Sequence, residues 1–303
     1  MNKKIKSFST QKRNRLIFYI AVLILPMIQI AIFYFYANVR SFTLAFTKYD
    51  GNGNYDFAGL EVFRDILTGK HTIFTNFKIN LVIKNSLITF IAEFLLGSFP
   101  AILFSYYIFK KHPLGQAFKI ILYIPQIVSG LVFVIIYKYF MNDLLPKMGV
   151  IEVGFWEKTL EAERFYYLFF TIFFSFGTRV LLYSGTMSGI SDSIIESGKI
   201  EGITPLKELF FIVLPMIWGT FVTFTITAII GLFTNQMSGY AFKGSGFNSQ
   251  LQTFGYFIFS KTADANLANY PILSALGLFM TLIAVPITLL VRYLLTRFGP
   301  KTE

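Results

Sequence analysis

Cysteine is absent from this sequence of 303 residues, and histidine occurs only as His71 and His112. The lack of thiols excludes disulfides, thiol nucleophiles and thiolate metal sites, and two histidines are too few for a histidine-based metal cluster. Charged residues are also scarce, at 14% of the chain, against roughly 25% in an average soluble domain. A soluble protein of this length could not cover its surface with so few charges. Both an ordinary soluble globule and a disordered chain are therefore excluded.

Hydrophobic residues are abundant instead. They make up 54% of the sequence, including 37 Phe and 17 Tyr, and the mean hydropathy is +0.60. In a bilayer the outer solvent is lipid, so apolar side chains can face outward without penalty. The composition therefore predicts a membrane protein, whose helix bundle can form a single domain.

Six apolar stretches of about 18 residues or more, each long enough to cross the hydrocarbon core, recur along the chain. Because lipid offers no hydrogen-bonding partner, the backbone of each stretch must be helical. We therefore predict an all-α membrane protein whose transmembrane domain covers residues 16–295, between two tails at 1–15 and 296–303. Its six transmembrane helices are predicted at about residues 16–38, 84–109, 119–138, 165–187, 211–233 and 271–293.

The distribution of positive charge predicts the orientation of the chain. Residues 1–15 carry six Lys or Arg and no acidic residue, which places the N-terminus in the cytoplasm. Six spans return the C-terminus to the same side, where Arg292, Arg297 and Lys301 agree. We attribute the net charge of +11 to the positive residues that orient the chain in the membrane. Nucleic-acid binding would need a basic stripe with interleaved aromatics on a soluble face, and the sequence contains no such stripe. We expect lipid but no nucleic acid among the partners.

Residues 189–215 form the one short inner connection that departs from the positive-inside rule, since they contain four acidic residues. Apolar and charged residues alternate there as in short amphipathic helices. Such helices on the cytoplasmic face suit docking into a groove of a partner protein. A helix lying on lipid is the alternative, and the four acids argue against it because the cytoplasmic leaflet is itself anionic.

Helix signals within this segment predict two short helices. Ser193 and Glu196 have the spacing of a capping box. Gly202 can adopt the left-handed conformation that ends a helix. The pair Thr204–Pro205 is typical of an N-cap followed by the first helical position. We predict a helix, a glycine turn and a second helix that Pro215 breaks or bends.

The stretch from Glu196 to Pro215 resembles the EAA loop of binding-protein-dependent ABC importer permeases. That motif is Glu-Ala-Ala, three residues, Gly, nine residues, Ile, one residue, Leu-Pro. Five of its fixed positions are in register here: Glu196, Gly202, Ile212, Leu214 and Pro215. The two Ala positions are occupied by Ser197 and Gly198, and glycine weakens a helix by up to ~1 kcal/mol relative to alanine.

Two weaker likenesses favour the carbohydrate group of these permeases, the maltose and glycerol-phosphate type. The stretch Phe57–Phe63 looks like the Phe-x-Gly-Leu-x-x-Tyr/Phe segment of sugar permeases, and Tyr123–Gln126 looks like their Leu-Pro near the third span. They also suggest the subunit that resembles the larger channel subunit of the maltose importer. A permease of a non-sugar ABC importer remains an alternative. So does a secondary transporter, which would need an internal inverted repeat or several intramembrane charges.

The resemblance implies a type I importer fold and a set of partners. In that family two permease subunits form the translocation path, an ABC ATPase dimer sits below them, and an extracellular solute-binding protein delivers the substrate, here a sugar or oligosaccharide. The location implied is the bacterial inner or plasma membrane. The 189–215 loop would couple to the ATPase through Glu196, Ser197, Gly198, Lys199, Glu201, Gly202, Ile212, Leu214 and Pro215.

The chain is not expected to be an enzyme or to bind a cofactor or metal itself. A phosphate-binding loop needs Gly-x-x-x-x-Gly-Lys-Ser/Thr. Here Gly69 and Lys70 are followed by His71, and Gly198 and Lys199 by Ile200. ATP and Mg²⁺ are therefore expected in the partner ATPase. An integral membrane enzyme would also need clustered histidines or paired acids at one face, which the sequence lacks.

Glu93 lies well inside the second predicted span. Carboxylates in membrane spans are costly and usually face the bundle interior or a cavity. Glu93 is therefore a candidate for the substrate path, or a structural partner of a polar group on a neighbouring helix. Arg179, in the fourth span, is interpreted as a structural or snorkelling residue.

Further candidates for the substrate path lie in the fifth span. Thr220, Thr223 and Thr227 share one helix face, and their hydroxyls could bind sugar or pack between helices. Asn235 and Gln236 follow near the outer end of that span as candidate path or gate residues.

Overall fold

The computed structural model describes residues 2–69, 79–151, 154, 159–264 and 266–300, with the side chains of 2–11 and 79 left aside. Two compact units emerge, one formed by Met1–Thr75 with Asn266–Phe279 and the other by Asn76–Ala265 with Met280–Glu303.

The first unit begins with a long helix. Helix α1 (Asn2–Gln29) continues through a π-helical turn (Ile30–Phe35) into α2 (Tyr36–Leu44). The segment Lys12–Leu44 is apolar and long enough to cross a membrane, and every side chain from 12 to 43 is exposed. Such a surface suits lipid as a solvent. The first predicted span, 16–38, lies inside this helix.

A short hairpin completes the first unit. Strands β1 (Thr47–Tyr49) and β2 (Tyr55–Phe57) pair antiparallel and are followed by α3 (Glu61–Thr68). The small core of the first unit consists of four buried side chains: Ala45, Val62, Ile272 and Ala275.

The second unit starts with the second and third predicted spans. The second span consists of α4 (Ile79–Ala92), a π-helical turn (Glu93–Ser98) and α5 (Phe99–Phe109). The third is divided into α6 (Gly115–Ile127) and α7 (Gly130–Tyr139).

The third predicted span, at about 119–138, is not one continuous helix. It bends by 104° between Gly115–Ile127 and Gly130–Lys147, because Val128 and Ser129 are extended, with ψ of 141° and 133°. A π-helical turn (Phe140–Leu144) and α8 (Leu145–Lys147) follow α7.

Helix α9 (Leu160–Met187) contains the fourth predicted span and packs against α5 and α6. The remaining elements are α10 (Asp192–Ile200), α11 (Pro205–Glu208), a π-helical turn (Leu209–Val213), α12 (Leu214–Met216), α13 (Trp218–Thr234), α14 (Gly239–Lys243), α15 (Phe254–Ala263) and α16 (Tyr270–Phe298), with short 3₁₀ turns at Gly244–Gly246 and Leu267–Asn269.

Within the described residues, four helices are apolar and long enough to cross a membrane, and counting each of the two bent pairs as one span gives six. The predicted fold class, an all-α membrane protein with six transmembrane helices and a helix–turn–helix loop, is confirmed.

Two buried clusters hold the second unit together. The first, here called the loop-side core, joins α5 and α9 to the 189–215 loop through buried residues that include Ile108, Val180, Tyr183, Ile195, Leu209 and Val213. The second, the aromatic core, joins α7 and the first half of α9 to the segment after α13, through Tyr137, Tyr166, Tyr167, Phe170, Phe242, Phe247 and Tyr256.

Candidate functional site

The first helix of the 189–215 loop begins two residues earlier than its sequence predicts. Its N-cap is Ser191, with an extended ψ of 134°, and α10 starts at Asp192. The predicted capping box of Ser193 and Glu196 is therefore wrong. Ser193 is already helical, and its hydroxyl lies 2.7 Å from the Ser191 hydroxyl instead of capping a backbone amide.

The predicted glycine turn is confirmed. Gly202 has a φ of +74°, and its N–H donates to the Lys199 carbonyl at 3.0 Å. The N–H of Ile203 reaches back to the Gly198 carbonyl at 3.1 Å. These two bonds form a Schellman motif, the usual end of a helix at a left-handed glycine. Among the described residues, no atom lies within 4 Å of the place where a Gly202 side chain would start, so glycine is favoured there by the left-handed backbone and not by a lack of space.

The glycine at position 198 permits a close contact inside the loop. A Cβ there would lie 2.8 Å from Cδ1 of Ile212 and 3.7 Å from Cδ1 of Ile203. The first loop helix therefore packs directly beneath Ile212, one of the motif positions. Packing between the two helices offsets the low helix propensity of Gly198.

The second loop helix begins as predicted and bends slightly later than predicted. Thr204 is the N-cap of α11 and Pro205 its first residue. The loop-side helices and α13 meet at 76°, with the break at Ile217, two residues beyond Pro215. Pro215 lies in the first turn of α12, where proline is tolerated.

The loop presents an exposed face that combines apolar and charged side chains. Ile200 is 88% exposed and Leu206 67%. Ile195 is buried in the loop-side core, and the half-buried Ile212 and Leu214 pack against it, so these three hold the loop to the bundle. Gly198 is buried against Ile212 within the loop, and Pro215 is half-buried. The candidate coupling residues on the exposed side are Glu196, Ser197, Lys199, Glu201 and Gly202.

Sequence reasoning missed the role of Glu208, one of the four acidic residues of the 189–215 loop. Glu208 is 3% exposed, and Nζ of Lys110 lies 2.8 and 3.0 Å from its two carboxylate oxygens. The Tyr106 hydroxyl donates to Glu208 Oε1 at 3.0 Å. No local pattern pairs these residues, because 98 positions separate Lys110 from Glu208.

A second polar cluster connects three helices in the membrane-spanning region. The Arg179 guanidinium donates to the Glu93 backbone carbonyl at 2.7 Å and lies 3.3 Å from its carboxylate. The Asn235 amide donates to the other Glu93 carboxylate oxygen at 2.5 Å. Glu93 is therefore the structural partner of polar groups on α9 and at the end of α13, one of the two interpretations left open by the sequence.

Two of the three candidate threonines of the fifth span form hydrogen bonds within their own helix. Thr223 and Thr227 are exposed and donate to the backbone of their own helix at 2.9 Å. The Thr220 hydroxyl lies 3.0 Å from that of Thr186 on α9. Thr220 therefore has the packing role, whereas Thr223 and Thr227 face outward from this chain.

A cavity of about 570 Å³ lies beside the bend of the third segment. Asn235 and Gln236 both line it, but the hydrogen bonding of their side-chain amides differs. The Asn235 amide is occupied by Glu93, and its Oδ1 accepts the Met237 N–H at 2.7 Å. Gln236 makes no side-chain hydrogen bond to the part of the chain that the structure describes. The rest of the wall is largely apolar and includes Ser129, Gly130, Leu131, Phe170, Phe174, Tyr240 and Phe259.

Comparison with known proteins gives sugar-transport permeases as relatives. The chain is 23% identical over 265 residues to the "Multiple sugar-binding transport system permease protein MsmF" of Streptococcus mutans, with 85% of this chain and 89% of that protein covered. It is 26% identical over 221 residues to the "Galactooligosaccharides transport system permease protein GanP" of Bacillus subtilis. That match covers 68% of this chain and 52%, about half, of GanP. No family model matches the chain.

Solved structures show the same fold. The chain superposes with a TM-score of 0.75 and 20% identity on a chain of a bacterial ABC transporter involved in the import of the acidic polysaccharide alginate, covering 97% of this chain and 99% of that one. A second structure is the alginate ABC transporter in complex with a periplasmic protein that holds an alginate pentasaccharide, with the same TM-score and 20% identity. Together with the two sequence relatives, this shared fold confirms the resemblance to carbohydrate-type ABC importer permeases.

Proposed function

We propose that this chain is a transmembrane permease subunit of an ATP-driven ABC importer for a sugar or oligosaccharide. It forms the translocation path with a second permease subunit and is coupled to a cytoplasmic ABC ATPase dimer through residues 189–215. An extracellular solute-binding protein delivers the substrate on the opposite side. The names of the two sequence relatives support the sugar assignment.

The observation that carries this proposal is the geometry of the loop. Ile200 and Leu206 are exposed on consecutive short helices, beside the charged residues Lys199 and Glu201. Burying one such aliphatic side chain contributes ~1.5–3 kcal/mol, so a groove that received both would be bound firmly. Apolar anchors with a charged rim are the pattern of a helix that docks into a groove.

The motor is proposed to lie in the partner, where ATP and Mg²⁺ bind. The Gly198–Lys199 pair of this chain lies inside α10, with Ile212 against Gly198. Backbone amides there are committed to helix bonds rather than to a phosphate. The chain itself contributes the docking surface and the path.

The charge distribution supports a bacterial inner or plasma membrane protein with both termini in the cytoplasm. The basic residues near each terminus follow the positive-inside rule. The acidic 189–215 loop lies on the same side by span count, and docking to a protein accounts for its charge.

The cavity beside the third-segment bend is proposed to form part of the sugar path. Aromatic rings such as Phe170 and Tyr240 line it together with Gln236, whose amide makes no side-chain hydrogen bond to the described residues. Apolar walls with a few polar groups are typical of small-molecule sites. Asn235 is proposed to act through Glu93, as a wall residue held in place.

The test is purification of the tagged chain from its native membrane in mild detergent, followed by mass spectrometry of the co-purifying proteins. The native chain is expected to bring a second six-span protein and an ATPase. Gly202→Val should lose the ATPase, because a β-branched residue disfavours φ of +74°. Gly202→Asn should retain it, since asparagine tolerates the left-handed conformation.

Two results would contradict the proposal. One is a native chain that purifies alone and still transports sugar. The other is an ATPase that stays bound equally well to the Val and Asn variants, which would show that the Gly202 turn does not shape the docking surface.

A further inference from the structure

Glu208, Lys110 and Tyr106 form a polar cluster that joins the second loop helix to the second span. Glu208 is the last residue of α11, and Lys110 immediately follows α5. Both carboxylate oxygens of Glu208 contact Lys110, at 2.8 and 3.0 Å. The Tyr106 hydroxyl contacts Glu208 Oε1 at 3.0 Å and the Pro205 carbonyl at 3.1 Å.

This cluster lies at the edge of the loop-side core. The residue after Glu208, Leu209, is 2% exposed and packs in the same apolar cluster as Ile108 of α5. The side chain of Glu208 is 4% exposed and that of Lys110 is 20% exposed. Separating the two would leave a carboxylate buried without its cation, which is strongly unfavourable. The pair therefore resists opening when the loop is displaced.

Glu208 differs in this respect from the other charged side chains of the loop. Among the residues that the structure describes, those side chains form no ion pair and are exposed: Asp192, Glu196, Lys199, Glu201 and Lys207. The apolar contact between Ile212 and Gly198 has no fixed direction, so the two surfaces can shift along each other. The hydrogen bonds of a carboxylate to an ammonium and a hydroxyl are directional and fix its position.

A second contact continues from α5 to the fourth span. The Ser105 hydroxyl, one residue before Tyr106, donates to the Val180 carbonyl of α9 at 3.0 Å. Ser105 is fully buried. A displacement of the end of α5 would therefore also displace α9 near Val180.

We propose that the Glu208–Lys110 pair, positioned by Tyr106, clamps α11 to the end of α5, so that the two move as one body. Movement of the 189–215 loop, driven by the ATPase, then reaches the second span directly. The three side chains are positioning residues, and the inference rests on the proposed function of the loop.

The experiment uses the complete complex in lipid nanodiscs and measures hydrogen exchange with and without trapping by ATP and vanadate. Two peptides are compared, one from the end of α5 (104–111) and one from the loop (205–213). In the native complex both should change protection on trapping. In Glu208→Met the loop peptide should still change, while the change in the α5 peptide falls to less than half.

The variants are chosen so that folding is kept. Methionine fills the space of Glu208 in an apolar setting, and Lys110, being partly exposed, can reach water. Glu161→Met is the matched control, because Glu161 is 73% exposed and lies far from the loop in the chain. The exchanged pair Lys110→Glu with Glu208→Lys should restore the α5 response to more than half of native.

Each outcome separates this inference from the proposed function. A native complex without an ATPase would overturn both. An α5 peptide that responds fully in Glu208→Met, or an ATPase lost from that variant, would overturn the clamp alone. If Glu208→Met does not accumulate, Tyr106→Phe removes a single hydroxyl and should still reduce the α5 response. An unchanged response in that variant would equally overturn the clamp.

Discussion

The guanidinium of Arg179 occupies the space that a side chain at Gly97 would fill. A Cβ at Gly97 would overlap Arg179 Nη1, the atom that donates to the Glu93 carbonyl. Gly97 lies in the π-helical turn that Glu93 begins. The wide π-helical turn and the lack of a side chain at Gly97 together leave room for the buried Arg179 between the second and fourth spans.

Gly97→Ala is therefore expected to displace Arg179 and leave the Glu93 carboxylate without its cation. Breaking a buried pair costs about 3–5 kcal/mol, so the thermal unfolding temperature of the purified chain should fall clearly. Gly185→Ala is the control on the Arg179 helix, because no atom of the described residues lies within 4 Å of its added methyl group. Equal unfolding temperatures for the two variants would contradict this account.

The two amides beside the cavity are expected to respond differently to substitution. Asn235→Ala removes a donor to Glu93, so it should lower stability by about 1–3 kcal/mol as well as activity. Gln236→Ala should leave stability within about 0.5 kcal/mol but reduce ATP hydrolysis stimulated by sugar. The measurements are thermal unfolding and ATPase assays of the whole complex with a panel of mono- and oligosaccharides. A destabilised Gln236→Ala with native stimulation would reverse the assignment.

Position 198 should accept a methyl group but no larger side chain. Gly198→Ala gains up to ~1 kcal/mol of helix propensity, offset by a shift of Ile212 Cδ1, the flexible end of its side chain. Rotamer strain of that kind costs about 0.5–1.5 kcal/mol, so stability and ATPase co-purification should stay close to native. Gly198→Leu should separate α10 from Ile212 and lose the ATPase. Retention of the ATPase by Gly198→Leu would show that this packing is dispensable.

Gly255 packs against the backbone at the end of the fifth span. A Cβ there would overlap the carbonyl carbon and oxygen of Thr234. Backbone atoms cannot rotate away, so Gly255→Ala should destabilise the chain by at least about 1–3 kcal/mol. Gly246→Ala is the control, because its added methyl group would have no atom within 4 Å in the part of the chain that the structure describes. Thermal unfolding measures both, and a native value for Gly255→Ala would refute the close approach.

Features that depend on neighbours along the chain could be predicted only where one signal dominated. The Gly202 turn was predictable, because its five-residue neighbourhood contains the signals that end a helix. The capping box at Ser193 failed because several serines compete as N-caps, and Ser191 rather than Ser193 is extended. The bend at Ser129 was missed because the hydropathy of 119–138 is continuous across it.

The sequence by itself determined the class of the molecule. Few charges and six long apolar stretches permit only helices in lipid, and the spacing from Glu196 to Pro215 carries the likeness to importer permeases. Those properties depend on composition and on neighbours along the chain. Only the tertiary structure decided that Glu208 pairs with Lys110 and that Glu93 pairs with Arg179. Such pairs join positions distant in sequence, and their partners are selected by the packing of helices around a shared core.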